Sequence, residues 1–126
     1  MTPKNILIID DEELVRDAIM MVLMRNGFVV SATGSANEGL KLIETNKFDL
    51  IITDLVMPEI DGVTFIKLVR QKIDHIPIMT LTGGARPGQK NMNDKAKAAG
   101  AIVTLQKPLS KKELLAGIDL AFKAAP

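Results

Sequence analysis

The chain has 126 residues, the size of one ordinary domain, and its 47% hydrophobic and 25% charged content is close to a soluble globular average. A formal net charge of +1 gives no bulk electrostatic footprint for nucleic acid or a membrane surface, and the lack of cysteine excludes disulfides and thiolate metal sites. The longest strongly apolar stretch, Ala18 to Met24, is too short to span a bilayer and the N-terminus carries no signal-peptide pattern, so the expectation is one soluble cytoplasmic domain over 1–126.

Strand and helix patterns alternate five times along the chain. An apolar run over 5–9 ends in Asp10-Asp11 and leads to a helical pattern over 13–26, with Gly27 placed for a left-handed C-cap. A second strand is predicted over 28–32, followed by a helix over 35–46 that opens on the capping box Ser35-x-x-Glu38. A third strand over 49–53 runs into Asp54 and the turn signals Met57-Pro58 and Asp61-Gly62, before a helix over 62–72. His75, the only histidine, falls in a loop entering the fourth strand, 77–82. That strand ends in Thr82 and a glycine-rich loop to Gln89. The helix after it, 89–99, is polar and alanine-rich and is expected to be short or loosely held, with Gly100 as its C-cap. A fifth strand over 101–106 runs into Lys107-Pro108, and the last helix, 110–124, opens on the capping box Ser110-x-x-Glu113. Four of the strands are nearly continuous in aliphatic residues, as strands buried on both faces are. Full alternation implies a parallel sheet with right-handed crossovers.

Ligands bind outside the carboxyl ends of parallel strands. There the pattern gathers Asp10, Asp11, Asp54, Thr82 and Lys107. Three carboxylates at close quarters repel unless a cation joins them, and hard oxygen donors suit Mg²⁺. A carboxylate can itself attack phosphorus to give an aspartyl phosphate, with an ammonium and a hydroxyl to hold phosphoryl oxygens. Each piece has a structural reading alone: a turn and helix cap at Asp10-Asp11, a strand-ending turn at Asp54, a loop at Thr82, a surface lysine at Lys107. Four strand ends with compatible chemistry favour the joint reading.

These residues, with Met57-Pro58-x-x-Asp61-Gly62, resemble the receiver domain of two-component response regulators, the CheY-like family, over essentially the whole chain. The resemblance implies a doubly wound α/β fold, a five-stranded parallel sheet in the order 2-1-3-4-5 with five helices. It implies that Asp54 accepts a phosphoryl group from a phosphohistidine on a sensor histidine kinase or histidine phosphotransfer protein. Asp11 would bind Mg²⁺ directly, Asp10 mainly through water, and the Val56 backbone carbonyl would complete the protein ligands. Thr82 and Lys107 would contact the phosphoryl group and report it to the face formed by the fourth helix, fifth strand and fifth helix. Such a domain is a signalling phosphoacceptor that catalyses only its own phosphorylation and dephosphorylation, with output by protein contacts and no direct nucleic-acid contact.

The chain departs from the family pattern at Thr104, where many members carry an aromatic switch residue, at Leu109, and in the loop from Gly83 to Gln89, which is expected to be mobile before phosphorylation. The resemblance implies that Val56 and Gly84 stand at positions whose side chains tune attack by water on the phosphoryl group. On the first helix, Val15, Ala18, Ile19, Val22 and Leu23 form the expected core stripe. Leu14, Met20, Met21 and Met24 fall outside it, and Met20 and Met24 are read as a docking patch for the donor. The scattered lysines at 90, 95, 97, 111, 112 and 123 read as solvated faces. The rival readings are a degenerate receiver used only for interaction, and a haloacid-dehalogenase-type phosphatase. The second needs an acid where Val56 stands. The Met1 start favours a stand-alone protein or an N-terminal receiver.

Overall fold

Apolar runs too short for helices and rich in β-branched residues become strands, and the capped amphipathic segments between them become helices. The computed structural model describes residues 3–83 and 89–124. Its strands are β1 (Asn5–Ile9), β2 (Val29–Thr33), β3 (Leu50–Asp54), β4 (Ile78–Thr82) and β5 (Val103–Gln106). They alternate with α1 (Glu13–Arg25), α2 (Ala36–Thr45), α3 (Gly62–Lys72), α4 (Gln89–Ala99) and α5 (Lys111–Ala124). All pairings are parallel, in the order β2-β1-β3-β4-β5. β5 begins at Val103, two residues later than the sequence suggests, because this edge strand pairs only with β4 and its register with that strand starts at Met79↔Val103.

Alternate side chains of β1, β3 and β4 enter two separate cores. Leu7, Ile9, Ile51 and Ile78 pack with Phe65, Ile66 and Val69 of α3. Ile6, Ile8, Leu50, Ile52, Met79 and Leu81 pack with Ile19 and Leu23 of α1 and Leu114 and Ile118 of α5. β1, β3 and β4 are thus clamped on both faces, as their continuous apolar sequences require.

Helix ends follow local chemistry. The Ser110 box closes in both directions: Glu113 N–H donates to Ser110 Oγ (3.0 Å) and Ser110 N–H to Glu113 Oε1 (3.2 Å). The Ser35 box closes in one. Glu38 N–H donates to Ser35 Oγ, whereas Ser35 N–H turns to Thr33 Oγ1. Asp61 caps α3 through Thr64 N–H (2.8 Å). Gly27 (φ 87°) and Gly100 (φ 128°) take the left-handed conformation expected of them.

Two expectations need correction. α4 is neither short nor unanchored: it runs for 11 residues, with Ala96 fully buried and Met92 packed on the α3 core, because alanine allows close approach where large side chains are lacking. On α1, only Ile19 and Leu23 are buried; Ala18 is exposed, and Met20 packs against the core beside them. The loop expected to be mobile lies largely outside the described residues. His75 is an exposed loop residue, as anticipated.

Candidate phosphoacceptor site

The strand ends converge as the sequence predicts. Asp10 directly follows β1 and is fully buried; Asp54 ends β3 at 5% exposure, and Thr82 ends β4 at 3%. Lys107 follows β5, its backbone N–H donating to the Thr82 carbonyl (2.7 Å), and the Lys107–Pro108 bond is cis. The lysine side chain crosses the sheet end. Its Nζ lies 2.8 Å from Asp10 Oδ2, 3.1 Å from Asp54 Oδ2 and 3.1 Å from Glu12 Oε1.

The pair with Asp10 is the closest of the three, and among the described residues the buried Oδ2 has no other partner. Its other oxygen, Oδ1, accepts the Glu12 N–H (2.9 Å). Asp54 Oδ1 accepts the Val56 N–H (3.3 Å), so Asp54 is held on one side by backbone and on the other by Lys107. Among the described residues, Thr82 Oγ1 donates to the Leu105 carbonyl at 3.5 Å, a weak bond that leaves its hydroxyl easily redirected.

Burial pushes the Asp54 carboxyl above its ordinary value; the Lys107 charge and the Val56 N–H oppose this, and the neighbouring Asp10 charge adds to it. For Lys107, burial alone would lower the ammonium. Hydrogen bonding and charge from Asp10, Asp54 and Glu12 outweigh it and hold the group firmly protonated.

Asp10, Glu12 and Asp54 each offer a carboxylate oxygen, all within 4.8 Å of one another. Asp11, adjacent in sequence, is exposed and stands outside that trio, while Val56, two residues after Asp54, is 39% exposed. Within that trio Glu12 is exposed and paired with Lys107, whereas Asp10 and Asp54 are buried hard-oxygen donors of the kind that suit Mg²⁺.

Sequence reasoning missed Glu12, which lay hidden in the acidic run Asp10-Asp11-Glu12-Glu13. It also missed the partner of Thr104, whose hydroxyl accepts from Thr80 Oγ1 across the β4–β5 pair (3.0 Å), with Thr80 fully buried. At the place of an aromatic switch this chain therefore has a hydroxyl–hydroxyl contact.

A family model described as "Response regulator receiver domain" matches residues 6–119. The chain is 36% identical to Protein PetR of Rhodobacter capsulatus, over 99% of this chain and 51% of that one. It is 34% identical to the transcriptional regulatory protein PdtaR of Mycobacterium tuberculosis, over 94% of this chain and 57% of that one. The chain thus spans about half the length of these curated relatives. A crystal structure of a putative response regulator from Chloroflexus aurantiacus superposes with a TM-score of 0.89 at 32% identity, covering 97% of this chain and 99% of that one.

Proposed function

Because the chain belongs to the response regulator receiver domain family of two-component signalling, we infer that Asp54 is its phosphoacceptor and that Asp10, Asp11, Asp54 and the Val56 carbonyl hold Mg²⁺. The family's role is that of a phosphoryl-accepting switch. The observation that carries the assignment to Asp54 is its position: it ends the central strand β3, buried and held between the Val56 N–H and Lys107 Nζ.

Bound Mg²⁺ would supply charge neutralisation for the transferring phosphoryl oxygens. The chain's own residues do the rest. An Asp54 oxygen attacks the phosphorus of a phosphohistidine; the P–N bond breaks as the P–O bond forms, and the imidazole leaves with the electron pair. Lys107 turns from the carboxylates to a phosphoryl oxygen, and the loosely held Thr82 hydroxyl donates to another. Hydrolysis of the acyl phosphate at the same site resets the switch. On this reading the domain catalyses only its own phosphorylation and dephosphorylation.

The donor would be a histidine kinase or phosphotransfer protein. An apolar groove of about 580 Å³ opens beside Glu12 and Lys107, lined by Leu14, Val15, Ala18, Ile19, Pro108 and Leu109. Leu14 is 86% exposed there, a large apolar side chain at the entrance to the reaction centre. Met24 remains a candidate contact on α1; Met20, packed inward, is a weaker one.

Incubation with acetyl phosphate and Mg²⁺ followed by intact mass tests the reading. The expected result is a single acid-stable, base-labile phosphoryl group, absent in Asp54→Asn and in chelator. Wild type that takes up none would point to a receiver fold used only for interaction.

A further inference from the structure

Glu12 occupies the N-cap position of α1 (φ −83°, ψ 104°), yet its side chain caps nothing. The other helices with a described cap use Ser35, Asp61 and Ser110, residues whose short polar side chains reach the first-turn N–H groups. α1 forgoes that bond. The Glu12 carboxylate instead extends to Lys107 Nζ at 3.1 Å, across the mouth of the crevice, and remains 59% exposed. Its backbone is fixed by the N–H bond to Asp10 Oδ1, so the side chain starts from a defined point. A glutamate has the length for this span, whereas the usual cap residues do not.

We propose that Glu12 is a positioning residue for Lys107. It holds the ammonium at the crevice mouth while Asp54 is unmodified, and gives it up when an anionic phosphoryl group arrives. The proposal rests on the phosphoacceptor reading of Asp54 and assigns to the acidic run a role that reading leaves unused. Lys107 has three donors and faces three carboxylates. Two of these belong to buried residues at the acceptor centre, and the third is the only one free to swing into solvent. Release of Glu12 therefore leaves no buried charge unpaired, which makes it the contact that can be broken at least cost.

The test measures equilibrium binding of beryllofluoride with Mg²⁺, and of Mg²⁺ alone, to wild type, Glu12→Gln and Glu12→Asp, each also in a Lys107→Ala background. An exposed ion pair that competes with the bound state is worth a factor of about two to five in affinity. Both Glu12 variants should therefore bind beryllofluoride about two to five times more tightly, with Mg²⁺ affinity changed less than twofold. The gain should vanish in the Lys107→Ala background. Glu12→Asp should also raise the thermal midpoint of the metal-free protein, because aspartate can cap α1 where glutamate does not. A merely structural role would move the midpoint without the Lys107-dependent gain. Three results would overturn the proposal: unchanged beryllofluoride affinity, a gain that persists without Lys107, or a tenfold loss of Mg²⁺ affinity, which would make Glu12 a metal ligand. Wild type that binds neither probe would instead remove the phosphoacceptor reading itself.

Discussion

Replacing Gly62 with alanine should damage the reaction centre from behind. Gly62 opens α3, and its N–H donates to the Leu55 carbonyl (2.8 Å). A Cβ there would stand 2.6 Å from Leu55 Cα, 2.7 Å from the Asp54 carbonyl oxygen and 2.8 Å from Leu55 Cδ2. Two of these are backbone atoms at the strand end that carries Asp54. Non-bonded carbons settle about 3.5–4.0 Å apart, so the strand end or the helix must move by about 1 Å. Overpacking of this kind costs about 1–3 kcal/mol, and alanine's helix propensity returns at most about 1 kcal/mol. A net loss of about 1–2 kcal/mol would lower the urea midpoint by about 1 M. A displacement of about 1 Å at a reacting group can cost about 100-fold in rate, so phosphoryl uptake from acetyl phosphate should fall much further than stability does. Gly27→Ala is the matched control. Gly27 has φ 87° and no atom within 4 Å of an added Cβ, at the opposite end of the sheet. Its strain costs a similar 1–2 kcal/mol with nothing to push against Asp54. Urea melts and intact-mass time courses on both variants decide the matter. Equal phosphorylation rates in the two would refute the reasoning.

Three further outcomes follow from the same geometry. Removing Lys107 leaves Asp10 and Asp54 buried without a cation, so Lys107→Ala should lose about 3 kcal/mol in chelator and recover much of it in Mg²⁺, read by thermal melts; equal losses in both buffers would contradict it. The Asp54 carboxyl has a folded pKa above the unfolded value of 3.8. Its protonated form therefore favours folding below that value, and this contribution is lost as pH rises through the folded pKa. Asp54→Asn should accordingly gain on metal-free wild type as pH rises from below 4, and a pH-independent difference in urea titrations would count against it. Arg70 donates to the Ile76 carbonyl (2.6 Å) and the Gly100 carbonyl (3.0 Å), tying α3 to the entries of β4 and β5. Arg70→Ala should cost about 2–3 kcal/mol, and Arg70→Lys should restore only part of it, since one ammonium lacks the two-pronged guanidinium geometry; full rescue in urea melts would show that charge alone suffices.

The sheet was legible because β1, β3 and β4 are buried on both faces and so are written as unbroken aliphatic runs. The residues at their ends were legible for a related reason: a polar residue that stops such a run must sit at the sheet's edge, where Asp10, Asp54 and Thr82 are found. Side-chain direction outside regular structure was harder to read. Asp10, Asp11, Glu12 and Glu13 are equivalent as a string, and only the turn after β1 decides that Glu12 meets Lys107 while Asp11 faces solvent. A signal did exist, since no Ser, Thr, Asp or Asn stands at the cap of α1. The start of β5 and the width of the α1 stripe were misjudged because an edge strand has one partner and α1 buries few side chains, so neither is held to a strict pattern.

The sheet also divides the molecule into two layers that can diversify separately. α1 and α5 rest on one set of strand side chains, and α3 and α4 rest on the alternate set. A substitution in one layer meets the other only through the backbone of a sheet pinned from both sides. Helices from a relative could therefore be grafted onto one layer while the other stays native, provided the grafted residues match the volumes of Ile19, Leu23, Leu114 and Ile118. Such chimeras would exchange partner-facing surfaces while leaving the strand ends, and the chemistry they carry, in place.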